Sequence, residues 1–198
     1  MKNLLQKTVL LTMIFGAVLN AQDKSAEKFG AQLFFDYTNH ISNSGGNANN
    51  EFEINRAYLS YQNNYSEEIS YKFIIDGDRT DADNKRLEVF VKNAMIEYKT
   101  KYGTISGGLM GMNMFTLQEA NWGYRFVEKS AMDINKFSSS ADLAIGYANT
   151  LSGVLDVNFM ISNGEGFKSS ETNRYKKYSL SLAYGEKKLF SKNGFNIG

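Results

Sequence analysis

The sequence predicts an all-β protein, an antiparallel transmembrane β-barrel of the outer-membrane type with about eight strands plus a stub. Three observations predict it. Apolar residues recur with period two in segment after segment, long and short connections alternate between those segments, and no segment beyond the N-terminus carries the roughly 18 apolar residues that a membrane-crossing helix needs. In lipid, backbone polar groups are satisfied only within helices or closed barrels, so an exported membrane protein without such helices crosses with strands.

Residues 1–21 read as a cleavable export signal. Lys2 and Lys7 form its positive region, the apolar run Val9 to Leu19 is too short to span a bilayer, and small Ala21 predicts cleavage before Gln22. Residues 22–198 read as one domain, with no internal linker. Phe29, Ala31, Leu33, Phe35 and Tyr37 share one face of the first segment, opposite Gln32, Asp36 and His40. Ile69, Tyr71, Phe73 and Ile75 oppose Ser70, Lys72, Asp76 and Asp78 in the third. The pattern returns in Leu155, Val157, Phe159 and Ile161, and again in Tyr178, Leu180, Leu182 and Tyr184. Eight strands follow, over about 28–41, 50–63, 67–78, 87–100, 104–114, 140–149, 154–163 and 174–185. The phase breaks twice: the second strand predicts a bulge near Asn55–Arg56, and the fourth is ambiguous before Asn93.

The connections separate a barrel from a soluble sandwich. Polar Ser42–Asn50, acidic Gly77–Arg86, the very long Phe115–Ser139 and polar Gly164–Asn173 alternate with tight turns at Asn64–Ser66, Lys101–Gly103, Thr150–Gly153 and Gly185–Lys188. Outer-membrane barrels show this alternation, whereas a sandwich with Greek-key crossings has no reason for it. Tyr37, Tyr61, Tyr65, Tyr71, Tyr98, Tyr102, Tyr147 and Tyr184 fall near strand ends, where interfacial girdles form. The alternative on the export signal alone is a secreted or periplasmic β-protein.

Composition excludes several chemistries. The chain has no Cys, which removes disulfides, thiolate metal sites and catalytic thiols, and its single histidine, His40, gives little support to a His metal cluster or a Ser-His-Asp triad. Lys and Arg number 22 against 21 Asp and Glu, so nothing favours nucleic acid. The run Asp76–Asn84 lacks the glycine and terminal glutamate of a calcium-binding EF-hand loop and reads as a solvated loop. Gly107, Gly108 and Gly111 precede no helix in this reading and suggest room for a neighbouring segment against the wall.

Four segments in order carry a resemblance: Phe52-Glu53-Ile54-Asn55-Arg56-Ala57-Tyr58-Leu59, Trp122-Gly123-Tyr124-Arg125-Phe126, Phe137-Ser138-Ser139-Ser140-Ala141-Asp142-Leu143 and Ser162-Asn163-Gly164-Glu165-Gly166. They resemble segments of porins related to the phosphate-selective O and P type, over roughly Phe52 to Tyr184. The resemblance implies a 16-stranded homotrimer, surrounded by outer-membrane lipid and lipopolysaccharide, whose third loop folds into the pore and narrows it. It implies passive diffusion of small hydrophilic solutes or ions, with no cofactor and no enzymatic step. The basic ladder of the phosphate-selective members is missing, so phosphate specificity is not carried over, and anions remain only one candidate solute class. Such porins are longer than this chain, whose last residues Phe195-Asn196-Ile197-Gly198 look like the opening of a ninth strand; the expectation is the N-terminal part of a larger barrel.

Within that reading Arg125, Glu128, Lys129, Asp133 and Lys136 are the candidate constriction charges, because an inward-folded loop exposes them where water is confined. Trp122, Tyr124 and Phe126 are the candidate anchors of that loop, and Lys72 and Asp76 the candidate lumen-wall charges. The rival is a structural or binding barrel of adhesin or receptor type, without an open pore.

Overall fold

The computed structural model describes residues 27–39, 50–79, 86–125, 127–189 and 191–198. The proposed export signal, His40, Phe126 and most of the acidic 76–84 run lie outside the described residues. Among the described residues nine strands form one antiparallel sheet in sequence order: β1 Glu27–Asn39, β2 Asn50–Asn64, β3 Ile69–Arg79, β4 Leu87–Thr100, β5 Gly103–Gly111, β6 Ala141–Leu151, β7 Leu155–Ser162, β8 Lys177–Gly185 and β9 Asn196–Ile197. Two helices, α1 Asn113–Trp122 and α2 Ala131–Ile134, lie in the β5–β6 connection. Each strand pairs with its neighbours in sequence, and the sheet is open among the described residues, with β1 and β9 at its edges.

The eight expected strands are present with shifts of a few residues at their ends. Two corrections concern connections. The fifth strand stops at Gly111 because the chain turns into α1, which takes the last residues of the expected strand and the first of the long connection and ends at Gly123 in the left-handed conformation, φ 67°. The expected tight turn at 185–188 is a longer connection running to Phe195, closed by Glu186 N–H donating to the Phe195 carbonyl (2.9 Å).

Register divides the sheet into two unlike faces. One side carries Leu33, Phe35, Leu59, Phe73, Val91, Ile96, Ile105, Ile145, Phe159 and Leu180, all exposed; Phe35, Ile145 and Leu180 are 66%, 67% and 62% accessible. At the short-turn end of this bare face Phe29, Tyr61 and Tyr71 stack in sequence at 6.0 Å, and Tyr184 meets Phe195 at 6.1 Å. At the opposite end Tyr37 packs on Phe52 at 4.9 Å.

The other side is polar and partly covered by residues 112–140. Its buried cluster is Met110, Met112, Phe115, Ala144 and Met160, with Met95, Met114 and Met132 against it. These flexible thioethers fill the irregular gap between a helix and a pleated wall. Gly108 is needed for strand pairing and not for the loop: its φ is 119°, and a Cβ there would strike the Ala94 carbonyl on β4. Gly107 points to open space on the bare face.

Two bulges interrupt the register. β1 and β2 shift between Phe34 and Phe35, leaving Asn55 as the extra residue at the place where the sequence phase breaks. β3 and β4 shift between Ile74 and Ile75, leaving Lys92 extra, which accounts for the ambiguity before Asn93. A bulge re-aims side chains, and here both bulges flank the same charged cluster.

Candidate functional site

Tyr58 and Asp76 are directly opposed in the β2–β3 register, both on the covered face. Arg56, two residues from Tyr58, shares its face by strand alternation and stands next to the Asn55 bulge, and Lys92 is itself the bulged residue of β4. Arg56 Nη1 donates to Tyr58 Oη at 2.6 Å and to Asp76 Oδ2 at 3.3 Å. Lys92 Nζ donates to the same phenol oxygen at 2.8 Å and lies 3.6 Å from Asp76 Oδ2. One phenol and one carboxylate thus hold two cations side by side. Asp76 is fully buried, and its Oδ1 has no hydrogen-bond partner among the described residues.

The network extends toward the long-loop end of the sheet. Asp78 Oδ2 accepts from Lys168 Nζ at 3.4 Å and lies 3.6 Å from Arg56 Nη2. Lys168 sits 4.3 Å from the Phe90 ring centroid, and Phe90 meets Phe167 at 5.6 Å. The 163–176 connection is therefore tied to the wall by aromatic and cation–π contacts.

Residues 112–140 face this cluster. Arg125 Nη2 lies 3.9 Å from Asp133 Oδ2. Both line a cavity of about 730 Å³ together with Tyr58, Lys92, Glu119 and Trp122. Burial raises the pKa of Glu119; Lys92 pulls it down, and Asp133 adds to the rise. A smaller space of about 310 Å³ is lined by Asp36, Arg56 and Asp78 from the sheet and by Arg125, Glu128 and Lys129 from the loop.

The structure thus brings Arg125, Glu128, Lys129 and Asp133 to the charged side of the sheet. It does not bring Lys136 there: that residue is exposed beyond α2 with φ 53°. Asp76 is the centre of the cluster and more than a wall residue, because two cations, Arg56 and the bulged Lys92, converge on it. Lys72 stands apart, exposed near a recess it shares with Gln62, Ser70 and Glu97.

The anchoring expectation needs correction. Trp122 and Tyr124 are both exposed, at 5.8 Å from one another, and the Trp122 indole N–H donates to the Glu128 carbonyl (2.9 Å), so it closes the loop on itself. The anchor to the wall is Asn113, whose Nδ2 donates to the Asn158 carbonyl at 2.8 Å and whose Oδ1 accepts from Ser179, together with buried Phe115. Sequence reasoning missed Arg56, Tyr58, Lys92, Glu119 and Asn113. Of these, Arg56 and Lys92 had a signal, since each stands at a break in the strand phase.

No group of described residues has the composition of a metal site. No protein-family model matches the chain, and no curated protein matches it.

Proposed function

We propose that this protein forms part of an outer-membrane β-barrel of porin type that passes small hydrophilic solutes or ions by diffusion, residues 112–140 narrowing the passage beside Arg56, Asp76 and Lys92. The observation that carries this reading is the division of the sheet: one face apolar and exposed along the middle of its strands, with polar residues such as Glu27, Arg79 and Asn149 only toward the strand ends, the other holding the charged cluster. Exposed apolar patches on soluble monomers rarely exceed a few hundred Å². An apolar face of this extent fits acyl chains, and the aromatic rows at its two ends fit the headgroup level. The same reading takes lipid and lipopolysaccharide as the surroundings and a homotrimer as the assembly.

An open sheet is unstable in lipid because its edge N–H and C=O groups have no partner. The proposal therefore includes pairing of the β1 and β9 edges with further strands. The test is stepwise conductance in planar bilayers together with heat-modifiable gel mobility of refolded protein. Soluble behaviour without detergent, with neither property, overturns it.

A binding barrel without an open pore is the second reading, and the interlocked Arg56, Asp76, Asp78, Lys92 and Lys168 network favours it. The spaces left beside that network favour the pore. Tight membrane insertion with no conductance decides for the binding barrel.

A further inference from the structure

Helix α1 stands between two spaces of different chemistry. Glu119 and Trp122 face the charged cavity described above. Asn113, Thr116, Leu117 and Ala120 recur at the i, i+3, i+4, i+7 spacing of a single helix face and line a second cavity of about 520 Å³. That volume lies within the about 300–1,000 Å³ of ordinary small-molecule sites. The wall opposite is the inner side of β5 to β8 near their short turns.

We propose that this second chamber binds a small uncharged polyhydroxylated solute of monosaccharide size. Its lining joins an apolar surface, from Leu117, Ala120, Ala148 and Ala183, to hydroxyls on Thr104, Thr116 and Ser181. Those three hydroxyls make no side-chain hydrogen bond among the described residues; Thr116 is exposed and Thr104 and Ser181 are half-buried, so all three are within reach of a solute in the cavity. A hydroxyl both donates and accepts, as a sugar hydroxyl does, and a pyranose presents C–H surface on its face and O–H groups on its edge.

The charged residues of the lining are Asp156, Lys187 and Lys188, and the first two pair with each other. Asp156 Oδ2 lies 2.6 Å from Lys187 Nζ, and Asp156 Oδ1 accepts from Thr150 Oγ1 at 2.5 Å. Lys188 is beside them on the exposed β8–β9 connection. That connection is also held to α1, the Leu189 N–H donating to Asn121 Oδ1 at 2.8 Å. The chamber thus has a helix on one side, the sheet on the other and a tethered connection at its end.

The inference rests on the pore reading for the solute's route, but binding itself is measurable in detergent. The experiment is calorimetric titration of purified protein with D-glucose and, separately, with D-gluconate. Saturable glucose binding is expected, about tenfold weaker when the Thr116→Val and Ser181→Ala changes are combined. Ala120→Phe, which fills the space, is expected to abolish it. Absence of saturable glucose binding, unchanged binding in the hydroxyl-deleted variant, or gluconate binding tighter than glucose each overturns the proposal. Conductance on the same preparation keeps the two readings apart. Glucose binding without conductance refutes the pore and supports the chamber; conductance without glucose binding refutes the chamber alone.

Discussion

Replacing Asp76 by Asn keeps the shape of a fully buried side chain and removes the charge on which two cations depend. Arg56 lies 3.3 Å and Lys92 3.6 Å from its Oδ2, where an effective dielectric of about 20 gives gross attractions of about 5 kcal/mol each. Most of this is offset by the cost of holding the charges away from water. Breaking a buried pair while stranding its partner typically loses about 3–5 kcal/mol. Arg56 and Lys92 keep 12% and 14% of their side-chain surface in solvent and can recruit water, which places the expected loss near the lower end, about 3 kcal/mol. Tyr58 continues to accept from both but carries no charge to replace the carboxylate. Adding Lys92→Met removes one stranded cation, so the double variant should cost about 1–2 kcal/mol less than the sum of the two singles. Urea unfolding of protein refolded in lipid vesicles, followed by Trp122 fluorescence, reads both quantities. An Asp76→Asn loss below about 0.5 kcal/mol, or strict additivity, would refute the view that this carboxylate holds the cluster together.

Leu180→Arg, midway along β8 on the bare face, should cost about 2–4 kcal/mol and reduce the heat-modifiable folded fraction if that face meets lipid; unchanged folding argues for water there. Arg125→Glu should shift the bilayer reversal potential toward cation preference, and an unmoved potential takes Arg125 out of the passage. Burial raises the folded-state pKa of Glu119 above its ordinary 4.5, so the stability linked to its protonation is fully present below 4.5 and is lost as pH rises through the folded value. Acidification through that same window adds positive charge to the cavity and should lower cation preference, a step that Glu119→Gln removes; selectivity flat with pH in the parent contradicts this. Phe115→Ala should cost about 3–5 kcal/mol and expose residues 112–140 to limited proteolysis, since Phe115 is buried between helix and wall.

Strand positions were legible because each strand carries one mostly apolar and one mostly polar face, which writes period two into residues such as Phe29–Tyr37 and Leu155–Ile161. The bulges were legible for the same reason: an extra residue at 55 or 92 shifts the period. Helix α1 was not. A helix set between a charged space and a mixed apolar and hydroxyl-lined one carries no single apolar stripe, so Asn113–Trp122 lacks the 3.6-residue signal that would mark it. The charged cluster was only half legible. Arg125 and Asp133 stand close in sequence, but the meeting of Arg56, Tyr58, Asp76 and Lys92 depends on cross-strand register, which no local pattern in one strand specifies. The anchor was misjudged because aromatic residues suggest burial, while Trp122 and Tyr124 are exposed, the Trp122 indole bonds within the loop, and the small amide of Asn113 reaches the wall.

The way Asn113 is held has a consequence for assembly. Every strand pairs with its sequence neighbour, so hairpins can join in chain order with short-range closures, a topology that favours rapid zippering. Asn113 nevertheless takes its partners from Asn158 on β7 and Ser179 on β8, strands synthesised well after it. The Asn113 tether is therefore completed only when β8 has docked. A molecule stalled after β6 would hold Phe115 against Met110 and Ala144 but would lack that tether.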